Sequence, residues 1–397
     1  MNNVLDLNNE KCSSCQICSA VCPVKAISFS FDEDGFYRPH IDDKCISCGK
    51  CKQNCVKFVQ DWEIVEKDFE VYSAINKDKK ILADSSSGGI ATALYEYALD
   101  NGYKCFGVYY DDEVHKAKAF VIKEKKDIEK ARHSKYIPVY AENVLHEVVF
   151  STDKWLIIAQ PCMLYGIKKS LQNNKKNLDN YIFIDFFCHG VPSQLLWNKQ
   201  IQEISKKYGE IKDVNFRSKN ACWHAYLLSF ISFGKQIYKK NVLFYDLFFS
   251  DYLLNSSCSD CTVRNLTNIP DIRIGDFWGK KFDLSLEGVS AVVCFSEKGK
   301  ELIHKINNCF IINKEDPSSL LPFQAVNKTY KVNQNVRKKM FNSLKKNNGL
   351  KKALRIYLES LPIKKKIEVV GKRMIKRIIP SYFQAKIRKI FHIKNQE

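Results

Sequence analysis

The sequence predicts three consecutive parts: a small α+β module at the N-terminal end, a larger α/β domain and a basic helical tail. Eight of the sixteen cysteines fall within the first 55 residues, in a spacing that occurs twice. Apolar runs of strand length alternate with helix-like stretches through the middle of the chain. Most of the formal net charge of +19 lies near the C-terminal end. We place the three parts at residues 1–62, 70–330 and 331–397.

The length and composition are those of an ordinary globular protein, with 397 residues for two or three domains. No basic segment followed by an apolar one precedes Cys12, so we expect no signal peptide. No run of about eighteen apolar residues occurs, so we expect no membrane span. We therefore expect the chain in a reducing cytoplasm, where cysteines bind metal instead of forming disulfides.

A cysteine spacing typical of iron–sulfur ligation, C-x2-C-x2-C-x3-C, occurs twice in the first part. In the two-cluster arrangement, the first three cysteines of each repeat hold one 4Fe–4S cluster and the fourth holds the other cluster. The predicted ligands of the first cluster are Cys12, Cys15, Cys18 and Cys55. The predicted ligands of the second cluster are Cys45, Cys48, Cys51 and Cys22. Zinc is the alternative, but zinc sites commonly use pairs of C-x2-C and not triplets.

Short strands are predicted at 26–29 and 36–39, around a turn at 32–35, which gives this module a ferredoxin-like α+β architecture. Pro23 follows the first cysteine repeat, whereas Val56 follows the second. Because proline mainly stiffens the turn, we expect its absence to change the packing there and not the ligation. Each half is too small to bury a core alone, so we expect the clusters to supply much of the interior.

The middle of the chain alternates buried-strand patterns with helical ones. Apolar runs at 104–110, 155–159 and 181–187 have the length of buried strands. Helix-like stretches at 90–99 and 164–173 lie between them. This alternation predicts an α/β domain.

Five short segments of this domain have residues suited to cofactor binding. They are SSSGG at 85–89, QPC at 160–162, CHGVP at 188–192, CSDC at 258–261 and GDFWG at 275–279. With these segments in this order, the chain from about 70 to 330 resembles the beta subunit of coenzyme F420 hydrogenase and dehydrogenase, a flavin and iron–sulfur family. The resemblance implies FAD, an additional 4Fe–4S cluster, and electron transfer between a two-electron donor and one-electron carriers. It does not by itself imply use of the deazaflavin coenzyme.

Four cysteines of the α/β domain form a candidate third 4Fe–4S site. A C-x2-C pair supplies two neighbouring ligands, and cysteines at two strand ends of an α/β sheet complete the set. The predicted ligands are Cys162, Cys188, Cys258 and Cys261. As alternatives, lone cysteines are often small buried apolar residues, and C-x2-C is also found in redox dithiols and zinc sites. The apolar interpretation suits the remaining body cysteines, which are Cys105, Cys222, Cys294 and Cys309.

The segment at 85–89 is a candidate site for the flavin pyrophosphate. It precedes an apolar helical run at 90–94, and a helix N-terminus offers free backbone N–H groups to an anion. The alternative is an ordinary serine cap with glycines for close packing. The candidate flavin-binding residues here are Ser86, Ser87, Gly88 and Gly89.

Other flavin-binding candidates follow from the resemblance. Lys135 is a candidate for a phosphate and Tyr136 for the flavin ring face, in a segment where the family usually has glycine at the position of His133. Arg217, Asp276 and Trp278 are similar candidates, although loop residues of these types are often simply exposed or packed. His189 follows a proposed ligand and is assigned to cluster tuning, proton transfer or a purely structural role. We assign no catalytic residue.

The hypothesis that joins these sites is an electron path from a flavin through a body cluster to the two N-terminal clusters. A flavin is needed because clusters carry one electron at a time. No G-x-G-x-x-G sequence is present, so direct nicotinamide binding has no support. A ferredoxin or another redox protein is the expected partner. The alternatives are a non-catalytic subunit that delivers electrons to a separate reductase or polysaccharide-modifying enzyme, and a scaffold that has lost its flavin.

The C-terminal tail is strongly basic. Residues 337–397 contain 19 Lys or Arg and 3 acids, and the cations alternate with apolar residues, as at 374–379. Basic amphipathic segments of this kind lie on anionic membrane surfaces. We therefore expect a cytoplasmic protein with a peripheral site on the inner membrane surface as one interpretation, and a solvated helical tail as the other. We expect no nucleic acid, because no recognition motif accompanies the charge.

Overall fold

The protein is described here by a computed structural model that covers residues 2–59, 68–326 and 328–378. The strands of these residues are β1 Ile27–Phe31, β2 Tyr37–Ile41, β3 Glu70–Asn76, β4 Lys104–Asp111, β5 Lys116–Ile122, β6 Val139–Tyr140, β7 Trp155–Ile158, β8 Tyr181–Phe186, β9 Lys212–Ser218, β10 Leu227–Ser232, β11 Lys235–Lys239, β12 Ile272–Asp276, β13 Ser290–Cys294 and β14 Phe310–Glu315. The helices are α1 Ile17–Ala20, α2 Lys50–Gln53, α3 Lys79–Ala83, α4 Ile90–Asp100, α5 Asp127–Ala131, α6 Glu142–Phe150, α7 Pro161–Asn173, α8 Gln194–Tyr208, α9 Leu243–Phe248, α10 Glu297–Lys305, α11 Gln334–Leu344, α12 Gly349–Ser360 and α13 Ile363–Ile378.

The N-terminal module is a two-stranded hairpin with two short helices. Strands β1 and β2 pair antiparallel from Ile27 opposite Ile41 to Phe31 opposite Tyr37, close to the predicted strands. Each cysteine loop leads into a short helix, α1 or α2. The internal repeat extends to the backbone, because Ser14 and Ser47 occupy equivalent positions and both have a positive φ, 60° and 52°.

The body is built on a mixed nine-stranded sheet with the order β14-β3-β13-β12-β8-β7-β4-β5-β6. The predicted strands at 104–110, 155–159 and 181–187 are β4, β7 and β8, and the predicted helices are α4 and α7. Strands β4, β7, β8 and β12 are parallel neighbours, while β3, β13 and β14 form an antiparallel side. The α/β prediction is therefore confirmed as a mixed sheet. A separate three-stranded sheet has the order β11-β10-β9.

The carboxyl ends of the central parallel strands bring the cofactor motifs to one edge of the sheet. Strand β7 runs into the segment at 160–162, β8 into 188–192 and β12 into 275–279. Parallel neighbours end on the same side, and ligand sites in such sheets gather there. The sequence order of the motifs thus becomes a spatial cluster.

The module, the body and the C-terminal helices share one apolar core. This core contains Ile17 of α1, Leu164 of α7, Trp197 of α8, and Met340 and Phe341 of α11. Ile17 fits against Gly166, where an added Cβ would be 2.6 Å from the Ile17 side chain. The three parts pack together, and their exact boundaries at residues 62, 70 and 330 stay predictions.

Polar contacts also hold the module on the body. Gln16 is fully buried; its Nε2 donates to the Val139 carbonyl at 2.6 Å and its Oε1 accepts from the Ala141 N–H at 2.8 Å. The hairpin turn packs on α8, where the N–H of Gln194 donates to the Gly35 carbonyl at 2.9 Å. Gly35 has φ of 82°, and an added Cβ would lie 2.4 Å from a backbone nitrogen of α8. The turn therefore needs glycine both for its conformation and for this close approach.

The C-terminal part consists of helices α11, α12 and α13. Prolines at 362 and 380 predict breaks in the basic helical pattern of the tail. Helix α12 ends at Ser360, and α13 begins just after Pro362. Pro380 lies outside the described residues. Among the described helices, none is both long enough and apolar enough to cross a membrane.

Candidate iron–sulfur centres and flavin cavity

All sixteen cysteines lie in the described residues and none forms a disulfide. The loop before α1 carries Cys12 and Cys15, and α1 itself carries Cys18. The second half repeats this arrangement around α2, with Cys51 on the helix. Because the two halves are related by the repeat, each presents three thiols from one tight turn, as cluster binding requires.

The cysteines predicted for the first cluster are neighbours in the structure. Burial raises the pKa of the Cys18 thiol, and nearby Cys15, Cys12 and Cys55 raise it further. Burial raises the pKa of Cys55 to about 12, with further contributions from Cys15 and Cys12. Cys55 of the second repeat therefore lies near the first triplet, and its assignment as the fourth ligand of the first cluster stays a prediction.

Parts of the second predicted set are also close together. Burial raises the pKa of Cys51, and the neighbouring Cys48 adds to the effect. The Sγ of Cys45 accepts from the side-chain amide of Asn3 at 3.8 Å, and the Sγ of Cys22 accepts from the Ala26 N–H at 3.3 Å. Such N–H···S contacts are among the interactions that tune cluster potentials. The assignment of these four cysteines to one cluster stays a prediction.

The four body cysteines surround one small cavity. Cys162 begins α7 directly after β7, Cys188 follows β8, and Cys258 and Cys261 lie in the loop after α9. All four line the same cavity, together with module residues Ser13, Val56 and Lys57. Burial raises the pKa of Cys162, and the charge of Cys15 of the module raises it further, followed by the charges of the other three body cysteines.

The thiols of the module cysteines and of the body cysteines are ligands that suit iron–sulfur clusters. Buried thiols without a metal stay protonated, whereas bound iron supplies the positive charge that stabilises thiolates. Among the described residues, no three or more His, Cys, Asp or Glu are arranged to hold a single metal ion. Cubane ligands each bind a different iron, so they surround a volume and do not converge on a point. The cysteine sets therefore fit clusters.

A loop of the body fixes the module next to the body cysteines. The side-chain amide of Asn255 donates to the Cys12 carbonyl and to the Ser14 hydroxyl, each at 3.1 Å. Arg38 donates to the same carbonyl at 2.9 Å. Three residues after Asn255 comes Cys258. These contacts hold the loop of the first predicted cluster against the loop of the body cluster.

A second cavity, of about 460 Å³, lies at the carboxyl edge of the sheet. It is lined by the segment at 85–87, Gly89, Tyr136, the segment at 188–192 and Trp278. Cys188 lines both this cavity and the cavity of the body cysteines. A flavin bound here would therefore adjoin the body cluster, and we call this space the flavin cavity.

The start of α4 faces the flavin cavity without a side-chain cap. Gly89 is the capping residue, with φ of 88°, and it provides no side-chain hydrogen bond to the free N–H groups of the first turn. The serine hydroxyls are engaged elsewhere: Ser87 donates to the Val289 carbonyl at 2.8 Å, and Ser86 accepts from the Ser134 N–H at 3.0 Å. An anion at this helix would be bound mainly by backbone N–H groups.

Gly88 has a packing role. An added Cβ would lie 2.1 Å from the Ala74 carbonyl of β3 and 2.5 Å from the Ser290 nitrogen of β13. Gly88 is also absent from the cavity lining, unlike Gly89. The packing interpretation therefore applies to Gly88, while Gly89 remains beside the proposed anion site.

Arg217 lies behind the cavity wall and not in the cavity. Its side chain is 1% exposed and donates to Asp276 at 2.6 Å and to the Tyr136 hydroxyl at 3.3 Å. Its guanidinium also stacks 5.1 Å from the ring centre of Trp278. Asp276, Tyr136 and Trp278 line the cavity. The structure thus brings these four predicted residues together, with Arg217 orienting the other three.

Two aromatic residues of this wall were missed from the sequence. Trp223 stacks on Trp278 with ring centres 4.9 Å apart, and it donates to Asp276 at 2.7 Å. The guanidinium of Arg217 lies 4.4 Å from the ring centre of Tyr226. No local spacing could have identified these residues, since Trp223 and Trp278 are brought together only by the fold.

Lys135 lines the flavin cavity, but its ammonium group is already hydrogen-bonded. It donates to the carbonyls of Lys130 and Ala131 at 3.2 and 3.0 Å, and also to that of Arg132, at the end of α5. Burial lowers the pKa of Lys135 to about 7. The neighbouring His133 has φ of 67°, the left-handed conformation that suits glycine.

His189 links the body-cluster loop to the flavin cavity. Its Nε2 lies 2.9 Å from an Asp251 carboxylate oxygen, and its Nδ1 lies 3.2 Å from the Tyr330 hydroxyl. Tyr330 accepts from Arg264 at 3.0 Å, and Arg264 also donates to the Cys258 carbonyl. The structural and tuning interpretations of His189 are both compatible with this network.

The fold and these cysteine sets define an iron–sulfur protein of the electron-transfer class. Comparison with known families specifies it further. Residues 71–146 match the N-terminal part of the beta subunit of coenzyme F420 hydrogenase/dehydrogenase, residues 152–319 match its C-terminal part, and residues 11–64 match a 4Fe–4S dicluster domain. The chain belongs to the coenzyme F420 hydrogenase/dehydrogenase beta-subunit family and carries an N-terminal 4Fe–4S dicluster domain. It is an iron–sulfur oxidoreductase of that family.

Individual relatives are more distant. A coenzyme F420-dependent sulfite reductase from Methanocaldococcus jannaschii is 26% identical over 174 residues, which are 43% of this chain and 26% of that protein. The match thus spans about a quarter of the relative's length. A chain in a xenon-derivatised structure of the F420-reducing [NiFe] hydrogenase complex from Methanosarcina barkeri is 19% identical, with a TM-score of 0.46; the match covers 75% of this chain and 94% of that one.

Proposed function

We propose that this chain binds FAD and three 4Fe–4S clusters, and passes electrons between a two-electron donor or acceptor at the flavin and one-electron carriers. The observation that carries the proposal is the position of Cys188, which lines both the flavin cavity and the body-cysteine cavity. The cofactors supply the redox chemistry, a flavin exchanging electron pairs and clusters exchanging single electrons. The chain supplies binding, spacing and exclusion of water.

The proposed order of cofactors follows from neighbouring cysteines. Cys188 and Cys162 belong to the body set, and among the thiols Cys15 of the first module cluster has the largest effect on the pKa of Cys162. Cys18 of the first cluster is in turn influenced by Cys51 of the second. The proposed path of electrons therefore runs from the flavin to the body cluster, then to the first module cluster and then to the second.

The second module cluster is the proposed point of exchange with a partner protein. Cys48 is exposed, whereas the four cysteines of the body site and the other seven module cysteines are partly or fully buried. Ile46, two residues before it, is 63% exposed, and Lys44 and Lys50 are exposed as well. A ferredoxin or another redox protein would dock at this edge. This exposed edge also supports the alternative that the chain delivers electrons to a separate reductase or polysaccharide-modifying enzyme.

In this proposal, residues of the chain itself bind the flavin. The uncapped start of α4 binds the pyrophosphate, and the aromatic residues Tyr136 and Trp278 pack against the ring system. Arg217 and Asp276 fix those aromatic residues from behind. Lys135 adds a positive charge at the cavity wall when it is protonated.

A larger polar cleft, of about 1020 Å³, provides a place for the two-electron donor. It shares Arg132, His133 and Lys135 with the flavin cavity. The names of the family and of both relatives mention coenzyme F420, so we include this coenzyme among the proposed donors. The donor and the direction of flow are decided by assay.

The test is anaerobic mixing of the purified chain with a reduced donor in a stopped-flow spectrometer. Reduced coenzyme F420, NADH and reduced ferredoxin are compared in separate runs. We expect one donor to reduce the flavin and clusters together, with the N-terminal clusters following the flavin when the donor is a two-electron one. Bound flavin and clusters that never exchange electrons with any donor would contradict the proposal. Electron uptake from ferredoxin alone, without turnover of a small donor, would favour the delivery-subunit alternative.

A further inference from the structure

Helix α13 presents an apolar stripe that no other described part of the chain covers. Ile363, Ile367 and Met374 are 79%, 68% and 58% exposed. Positions i, i+4 and i+11 lie on one face of a helix, so these three side chains share that face, with Gly371 between the last two. Single exposed apolar residues are common, but a line of three large ones indicates an interaction surface.

One lateral face of α13, on the side of Lys366, is fixed on the body. Val369 packs against the main apolar core, and the Nε of Arg373 lies 3.0 Å from a carboxylate oxygen of Asp246 on α9. Because these contacts hold the helix in one rotation about its axis, the apolar stripe remains directed away from the core. The exposure of the stripe is therefore a property of the docked helix.

Lysines flank the stripe on both sides. At about 100° per residue, Lys364 and Lys366 fall on opposite sides of the line of apolar residues. Lys365 and Lys372 are also exposed, and the only acid on the helix, Glu368, pairs with Lys372. The surrounding segment, 337–397, contains 19 Lys or Arg and 3 acids. An apolar line between cations complements a surface that is anionic outside and apolar just beneath.

We propose that α13 docks this chain on an anionic phospholipid membrane, with the stripe at the level of the acyl chains and the lysines at the headgroups. Helices of this kind lie in the plane of the interface. Two copies of the chain paired through this face would bring together two strongly basic segments, which repel each other. Nucleic acid would pair with the lysines but would leave the apolar stripe exposed. The lipid surface accounts for both features.

The test is flotation of the anaerobically purified full-length protein with two sets of vesicles, phosphatidylglycerol–phosphatidylcholine and pure phosphatidylcholine. We expect binding to the first set, weakened by salt, and little binding to the second. Lys364→Gln, Lys365→Gln and Lys366→Gln together should weaken binding about a hundredfold, at about fivefold for each cation removed. Ile363→Ser, Ile367→Ser and Met374→Ser together, the Ser variant, should abolish it. Unchanged iron content in each variant shows that folding is intact.

A matched control removes three exposed lysines elsewhere, through Lys346→Gln, Lys351→Gln and Lys352→Gln. We expect this control to bind vesicles within about threefold of the unchanged protein. An equal loss in control and test variants would overturn the role of α13, as would absence of binding by the unchanged protein. A dimer in light scattering that dissociates in the Ser variant, without vesicle binding, would show that a second copy covers the stripe. Since binding needs no turnover, the outcome is independent of the proposed electron path.

Discussion

Gln16 provides the sharpest test of how the module is held on the body. Its amide pairs with the carbonyl of Val139 and the N–H of Ala141, as a neighbouring strand would. Gln16→Leu keeps the volume of the side chain but removes both bonds. Val139 and Ala141 are 9% and 2% exposed, so water cannot easily replace the lost partner.

The magnitude follows from these two bonds. Each buried polar group left unpaired costs about 1–3 kcal/mol, so Gln16→Leu should destabilise the junction by about 2–6 kcal/mol. A local loss of this size increases amide exchange at Ala141 at least about thirtyfold. Gln16 also lies between Cys15 and Cys18, so electron transfer between the body and the module should slow in the same variant.

The assay is hydrogen exchange by mass spectrometry on the anaerobic protein, supported by the rate at which the module clusters are reduced. Gln53→Leu on α2 is the matched control, since Gln53 is exposed, and its effect should stay within about 0.5 kcal/mol. If the peptide containing Ala141 keeps its protection in Gln16→Leu, the reasoning about this junction is wrong.

Three further predictions concern the cofactors. Cys162→Ser should lower the iron content from about twelve to about eight per chain while flavin is retained. The control Cys309→Ser, on the surface, should leave the iron content unchanged. Iron analysis measures both variants. Gly88→Ala should lower the free energy of unfolding by about 3 kcal/mol or more and weaken FAD binding, because the added Cβ would meet two backbone atoms. Gly371→Ala is the control, since its Cβ would meet no atom within 4 Å, and it should be neutral or slightly stabilising. Thermal unfolding measures both variants. FAD affinity should fall as the pH rises through about 7, where Lys135 loses its proton, because an anion favours the protonated lysine. Lys135→Met should bind more weakly at low pH and lose this pH dependence in fluorescence titrations, and an unchanged profile would remove Lys135 from the site.

Local patterns predicted the central elements well. Strands β4, β7 and β8 are continuous apolar runs, because both faces of the central sheet are covered. The antiparallel side formed by β3, β13 and β14 was not predicted. Its strands pair over long sequence separations, as when Glu315 aligns with Val71, and no local signal encodes such a pairing.

The spacing of the cysteine repeats indicates their chemistry without help from the fold. The structure makes the thiols of the first predicted set neighbours, and their assignment to one cluster stays a prediction. Arg217 shows the limit, because its position behind the wall depends on Asp276, which is 59 residues away. Lys135 shows a second limit of prediction from sequence, because its ammonium group donates hydrogen bonds to backbone carbonyls at the end of α5. The role of a polar side chain in the site depends on which hydrogen-bonding partners the fold places beside it.

The most direct measurement for the whole account is chemical and spectroscopic analysis of one anaerobically purified sample. Three 4Fe–4S clusters and one flavin predict about twelve iron and twelve acid-labile sulfide per chain, with equimolar FAD. Electron paramagnetic resonance of the reduced sample should show magnetic coupling between neighbouring clusters. Stoichiometric zinc without sulfide, or clusters without any sign of mutual coupling, would contradict the proposed path from flavin to surface.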